Sequence, residues 1–156
     1  MSHVHDHTGC VDDAIATAIT LCEKRGVRFT DLRKTVLELV WSGHEAVKAY
    51  DLLDQLAALG GSAKPPTVYR ALEFLMEQGL VHKIESLNAY VGCPHPDGDH
   101  VSEFFICDSC GYVEEVNLPD LEKAINFQAE QSRFKINRQT VEISGQCEDC
   151  SIKSAA

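Results

Sequence analysis

Four of the seven cysteines in this 156-residue chain fall into two identical pairs, Cys107-Asp108-Ser109-Cys110 and Cys147-Glu148-Asp149-Cys150, with 36 residues between them. A two-residue gap lets both thiolates of a pair reach one tetrahedral ion at about 2.3 Å, and two such pairs make a closed four-sulfur zinc site. Ordinary buried thiols or two redox pairs are the competing readings. Identical spacing at both ends of one segment favours the metal, which would clamp the C-terminal half of the chain.

A second group of potential ligands occupies the centre of the sequence: His82, Cys93, His95, His100, Glu114 and Glu115. Cys93 and His100 bracket Gly92-Cys93-Pro94-His95-Pro96-Asp97-Gly98-Asp99-His100, whose Pro and Gly content reads as a hinge. A site built from both sides of a hinge would share its binding energy with domain closure. Residue types and spacing leave the membership of that set open. His3, His5, His7 and Cys10 form a metal-friendly N-terminal stretch, read as a flexible end, with an auxiliary zinc site as the functional alternative.

Composition narrows the class. The chain has 44 % hydrophobic residues, enough for a packed core, although two half-size domains would be marginal without a staple. No run of eighteen apolar residues exists, and the N-terminus lacks the basic and apolar regions of a signal peptide, so no membrane is expected as a partner. Paired cysteines of zinc type suit a reducing, cytoplasmic setting. The net charge is −10, but residues 24–70 hold eight Lys or Arg against five Asp or Glu, a local +3 that leaves −13 elsewhere. A basic patch on an acidic protein is compatible with DNA binding.

Periodicity supplies the elements that must position these residues. Apolar residues at three- and four-residue steps predict a helix over 11–25, a second after Thr30 with Val36, Leu37, Val40 and Trp41 inward, and a third over 49–59. Pro65-Pro66 opens a fourth, which buries Val68, Leu72, Leu75 and Met76 and turns Thr67, Tyr69 and Arg70 outward. A hairpin follows, with strands over 80–84 and 88–91. Helices, then a rigidly started helix, then a hairpin describe a winged helix-turn-helix. Beyond the hinge, strands over 103–106, 112–116 and 134–144 surround a helix over 118–132. The fold class expected is α+β: a His-rich tail at 1–10, a winged-helix domain at 11–91, a hinge at 92–101, an α+β domain at 102–151 stapled by the four cysteines, and a tail at 152–156.

The segment KPPTVYRALEFLMEQGL from Lys64 to Leu80, followed by VHKIES, ICDSCG and CEDC, resembles the ferric uptake regulator family, and especially its zinc-sensing branch, over residues 12–151. The resemblance implies a homodimeric, metal-responsive repressor and not an enzyme, with its C-terminal domain serving dimerisation. It implies structural zinc at Cys107, Cys110, Cys147 and Cys150, and a second, regulatory zinc at His82, Cys93, His100 and Glu115, two ions per chain. His95 stands beside His100, and Glu114 beside Glu115, as alternative ligands. A thiolate among imidazole and carboxylate donors favours zinc over ferrous iron. Operator DNA would be met by Tyr50, Lys64, Thr67, Tyr69 and Arg70, with Arg28, Arg33 and Lys48 on phosphates. An iron- or manganese-responsive repressor is the alternative within the family, and a zinc storage protein or chaperone the alternative outside it. A zinc deaminase would need a His-x-Glu motif and a proline before the Cys pair, and Ile106 precedes Cys107.

Overall fold

The computed structural model describes residues 7–43, 45–98 and 100–155; His3, His5 and Asp99 lie outside these, as does the side chain of His7. The chain divides into two compact units, Met1–Gly98 and Asp99–Ala156.

The first unit runs α1 (His7–Arg25), α2 (Asp31–Trp41), β1 (Val47–Lys48), α3 (Ala49–Ala58), α4 (Pro65–Glu77), β2 (Val81–Ile84) and β3 (Ala89–Gly92). Helix α1 starts at His7, so His7–Cys10, placed by sequence in a tail, form its first turn; a single Gly9 costs about 1 kcal/mol and does not stop a helix driven by later packing. Thr30 caps α2, its hydroxyl accepting the Arg33 N–H at 3.4 Å. Helix α4 begins with Pro65 and Pro66, positions where a missing N–H costs nothing, and Gly79 ends it at φ 71°. The inward faces of the four helices meet in one core containing Cys22, Val36, Leu37, Leu52, Leu72 and Leu75. Strands β2 and β3 form the expected hairpin, with His82 opposite Val91. The two-residue β1 pairs with β3 through Val47–Tyr90 and Lys48–Ala89, giving a sheet of order β1-β3-β2. Two residues are too short for periodicity to reveal. The Arg25 guanidinium donates to the Gln78 carbonyl at 2.6 Å, tying the end of α1 to the end of α4.

The second unit runs β4 (Ser102–Cys107), β5 (Val113–Val116), α5 (Pro119–Gln131), β6 (Thr140–Gly145) and α6 (Glu148–Ala155). Strand β4 is central, antiparallel to β5 and parallel to β6. The third strand begins at Thr140 rather than 134, because the polar run Asn137-Arg138-Gln139 breaks the alternation a half-buried strand requires. Residues 152–155, expected as a tail, continue α6. The core here is sparse: Glu103, Phe104, Ile106 and Cys107 are its buried residues, and α5 contributes none. Phe127, Phe134 and Ile152 are more than 60 % exposed, with Phe105 and Ile143 above 40 %. Phe105 and Ile143 are register partners on β4 and β6, an exposed apolar pair of the kind that marks an interaction face. Glu103 is the one buried charged residue among those described, and its Oε2 accepts the Leu118 N–H at 2.5 Å, at the N-cap of α5.

Candidate metal centres and nucleic-acid interface

The four-cysteine centre is built where the three-stranded sheet ends. Strand β4 delivers Cys107, and the tight turn to β5 is closed by Gly111 N–H donating to the Cys107 carbonyl at 3.0 Å, with Gly111 at φ 75°. That turn brings Cys110 back beside Cys107. The parallel strand β6 runs to the same edge, where Asp108 N–H donates to the Gly145 carbonyl at 2.8 Å. The chain then presents Cys147 and, from the first turn of α6, Cys150. All four sulfurs lie within 4.8 Å of one another, and Cys110 Sγ is 3.7 Å from Cys147 Sγ. A tetrahedron with bonds of about 2.3 Å has sulfur–sulfur edges of about 3.8 Å, so the cage matches zinc closely.

The electrostatics of the cage point the same way. The backbone N–H of Cys147, at 3.4 Å, and then that of Cys110 hold the Cys107 thiol down at about 6. Proton sharing first with Cys147 and then with Cys110 pushes the Cys150 thiol up to about 12. Four sulfurs this close resist ionising together unless a cation sits among them. The donor set therefore fits a closed, structural zinc with no open position for substrate.

The other ligand candidates form two half-sets, one in each unit. In the first unit, His82 projects from β2 and Cys93 follows β3 directly, only 3 % exposed, with its N–H donating to the Leu80 carbonyl at 3.0 Å. In the second, His100 Nε2 lies 2.6 Å from Glu115 Oε1. Glu115 pairs with Phe104 and Glu114 with Phe105, so the two carboxylates leave β5 on opposite faces; Glu114 is exposed beside Phe105 and Tyr112. His95 is exposed.

The polar side of α4 is laid out in the first unit. Thr67, Tyr69 and Arg70 are exposed while Val68 between them is fully buried, the helical alternation that a groove-reading helix needs. Tyr50 at the start of α3 is 73 % exposed, and Lys48, Lys64 and Arg28 are exposed too. Arg33 is placed differently. Its guanidinium lies 3.6 Å over the ring of Phe74 and donates to the Arg28 carbonyl. Two features had no sequence signal. Trp41 packs against the backbone of Gly92, and Glu103 is buried inside a strand whose apolar neighbours suggested only core.

Residues 24–144 match the sequence model of the ferric uptake regulator family. The chain belongs to that family. It is 44 % identical over 139 residues to the zinc uptake regulation protein of Escherichia coli strain K12, spanning 88 % of this chain and 81 % of that one. A solved zinc uptake regulator in complex with zinc and DNA superposes with a TM-score of 0.90 at 42 % identity, covering 94 % of this chain and 98 % of that one. A crystal structure of holo XcZur gives 0.82 at 40 % identity, over 88 % and 96 %. The winged-helix and α+β architecture expected from sequence is the architecture of these relatives. Among the described residues no helix is long and apolar enough to cross a membrane.

Proposed function

We propose that this chain is a zinc-responsive transcriptional repressor that binds operator DNA as a zinc-loaded homodimer and represses zinc-uptake genes. It is a cytoplasmic regulator and not an enzyme. The observation that carries the reading is the 44 % identity to a zinc uptake regulation protein over 88 % of this chain; the donor chemistry supports it, since His82, Cys93, His100 and Glu115 add a thiol to imidazole and carboxylate groups, a mixture that suits zinc. In this reading His82, Cys93, His100 and Glu115 would hold a second zinc, whose bonds would tie the two sides of the 92–101 hinge.

The chain's own residues convert that bond into DNA affinity. Cys93 is anchored to Leu80, whose own N–H donates to the Leu75 carbonyl at 2.9 Å near the end of α4. Residues 11–91 present α4 to a major groove, where Arg70 can donate two hydrogen bonds to a guanine edge and Tyr69 can meet a thymine methyl or a phosphate. Tyr50, Thr67, Lys64, Arg28 and Lys48 place the domain on the backbone. Arg33, held on Phe74, stiffens that surface. The exposed apolar face of residues 102–151 holds a second copy, and a fixed pair of winged helices meets successive grooves where a hinged pair does not.

The test is metal content per chain alongside DNA binding, before and after mild chelation. Two zinc ions should fall to one, with operator binding lost and the dimer retained. Operator binding that survives with one ion would remove the switch and leave a constitutive binder; zinc binding without any affinity for DNA would favour storage.

A further inference from the structure

Two cysteines far apart in sequence line one cavity of about 260 Å³ in the first unit: Cys10, in the first turn of α1, and Cys93, after β3. The rest of the wall is largely apolar, with Leu37, Trp41, Leu80 and Pro96, and Asp13 is its one charged residue among those described. Such a space admits a small neutral molecule more readily than an ion. Cys22, also in this unit, is 1 % exposed in the core, and burial pushes its thiol up, so it is shielded from the same chemistry. The turn that holds Cys10 is lightly anchored. Among the described residues of α1, Val11 is the first to pack against the core, Gly9 before it has open space around it, and no acidic residue supports the first turn. Unwinding the turn before Val11 costs little, and it frees Cys10 to move across the cavity that it shares with Cys93.

We propose that Cys10 and Cys93 are a thiol pair oxidised to a disulfide by a small two-electron oxidant of the peroxide class. The Cys10 thiolate, the less buried of the two, attacks a peroxide oxygen; the O–O bond breaks, water leaves, and a sulfenic acid forms on Cys10. The second sulfur then displaces its hydroxyl, the S–S bond closes, and a second water leaves. Two thiols lose two electrons and two protons, and one hydrogen peroxide becomes two waters. The disulfide itself is independent of the zinc reading. Its consequence rests on that reading: a sulfur held in the S–S bond is withdrawn from the regulatory metal set, and zinc in that set shields Cys93.

The full chain is first treated with a mild chelator that leaves the four-cysteine metal in place, then with hydrogen peroxide, and mapped by peptide mass spectrometry. The expected product is a linked Cys10–Cys93 peptide, lighter by two hydrogens and reversed by a thiol reductant, and suppressed at least tenfold when zinc is restored first. Cys10→Ser should yield no linked peptide, and after peroxide in the metal-depleted state followed by return of zinc it should regain the DNA binding that the wild type loses. Absence of the linked peptide from metal-depleted wild type, or Cys93 pairing with another cysteine instead, overturns the proposal. If zinc slows alkylation of Cys93 but no linked peptide forms, the disulfide fails and the zinc reading stands. If the linked peptide forms equally fast with zinc, the disulfide stands and Cys93 is not a zinc ligand.

Discussion

Gly92 faces the indole of Trp41 so closely that a Cβ added there would lie 2.2 Å from the ring. The position is therefore closed to every residue but glycine unless Trp41 moves. Trp41 ends α2 and Gly92 precedes Cys93, so the contact joins the helical core to a proposed metal ligand. Gly92→Ala should destabilise the first unit by about 1–3 kcal/mol through overpacking. Trp41 is the sole tryptophan, so its emission reports both the displacement and the unfolding midpoint in urea. A wild-type midpoint and spectrum would show that the indole relocates without cost.

The four-cysteine cage should matter more for stability than any apolar contact in the second unit. With four buried residues and a helix that buries none, that unit lacks the core to fold on packing alone. Cys110→Ser is expected to remove one zinc per chain and amide-exchange protection from β4, β5 and β6. Protection of α2 and α4 should remain, since their core is separate. Structural zinc supplies about 10–16 kcal/mol in small domains, so a partial loss of protection would contradict the staple.

Arg33 and Arg70 should separate cleanly by readout. Arg70 is exposed on α4, whereas Arg33 stacks on Phe74 and holds the Arg28 carbonyl. Arg70→Ala is expected to cost about 1–3 kcal/mol on operator DNA and little on random DNA. Arg33→Ala should lower the unfolding free energy by about 1 kcal/mol, from the lost cation–π contact and hydrogen bond, and weaken all DNA alike. Binding curves on both DNAs, beside urea titrations, test the pair. Equal losses on operator and random DNA for Arg70→Ala would end its base-reading role.

What sequence could reveal here follows from how local each signal is. The Cys-x2-Cys pairs announce a metal because their spacing is itself the geometry, and the proline-started α4 announces its exposed side because helical period sorts Val68 from Tyr69 and Arg70. The partnership of Thr30 with Arg33 N–H is equally local. By contrast, Glu115 and Glu114 differ only in which face of β5 they leave, and strand register is fixed by the pairing with Phe104 and Phe105. The ring of Phe74 beneath Arg33 had no signal either, because charge alone cannot show what an arginine stacks on. The early start of α1 and the helical end beyond Cys150 escaped for a related reason: short terminal turns have too few apolar positions to show a period.

Glu103 sets the last prediction. It is 2 % exposed in the central strand, and its carboxylate accepts the Leu118 N–H at the N-cap of α5, where negative charge is favoured by the helix dipole. Burial of a carboxylate is costly, and with Oε1 buried and without a hydrogen-bond partner, the Leu118 N–H on Oε2 and the helix end offset only part of that cost. Glu103→Gln keeps shape and an acceptor oxygen but gives up charge, and should cost about 1 kcal/mol. Glu103→Ala strands the Leu118 N–H and leaves a cavity at the start of α5, on the face of β4 opposite to Phe104, and should cost about 3 kcal/mol. Amide exchange at Leu118 and in the first turn of α5 distinguishes the two, with protection reduced in the glutamine variant and lost in the alanine variant. Equal protection in both would mean that the carboxylate is tolerated in the core without holding the helix.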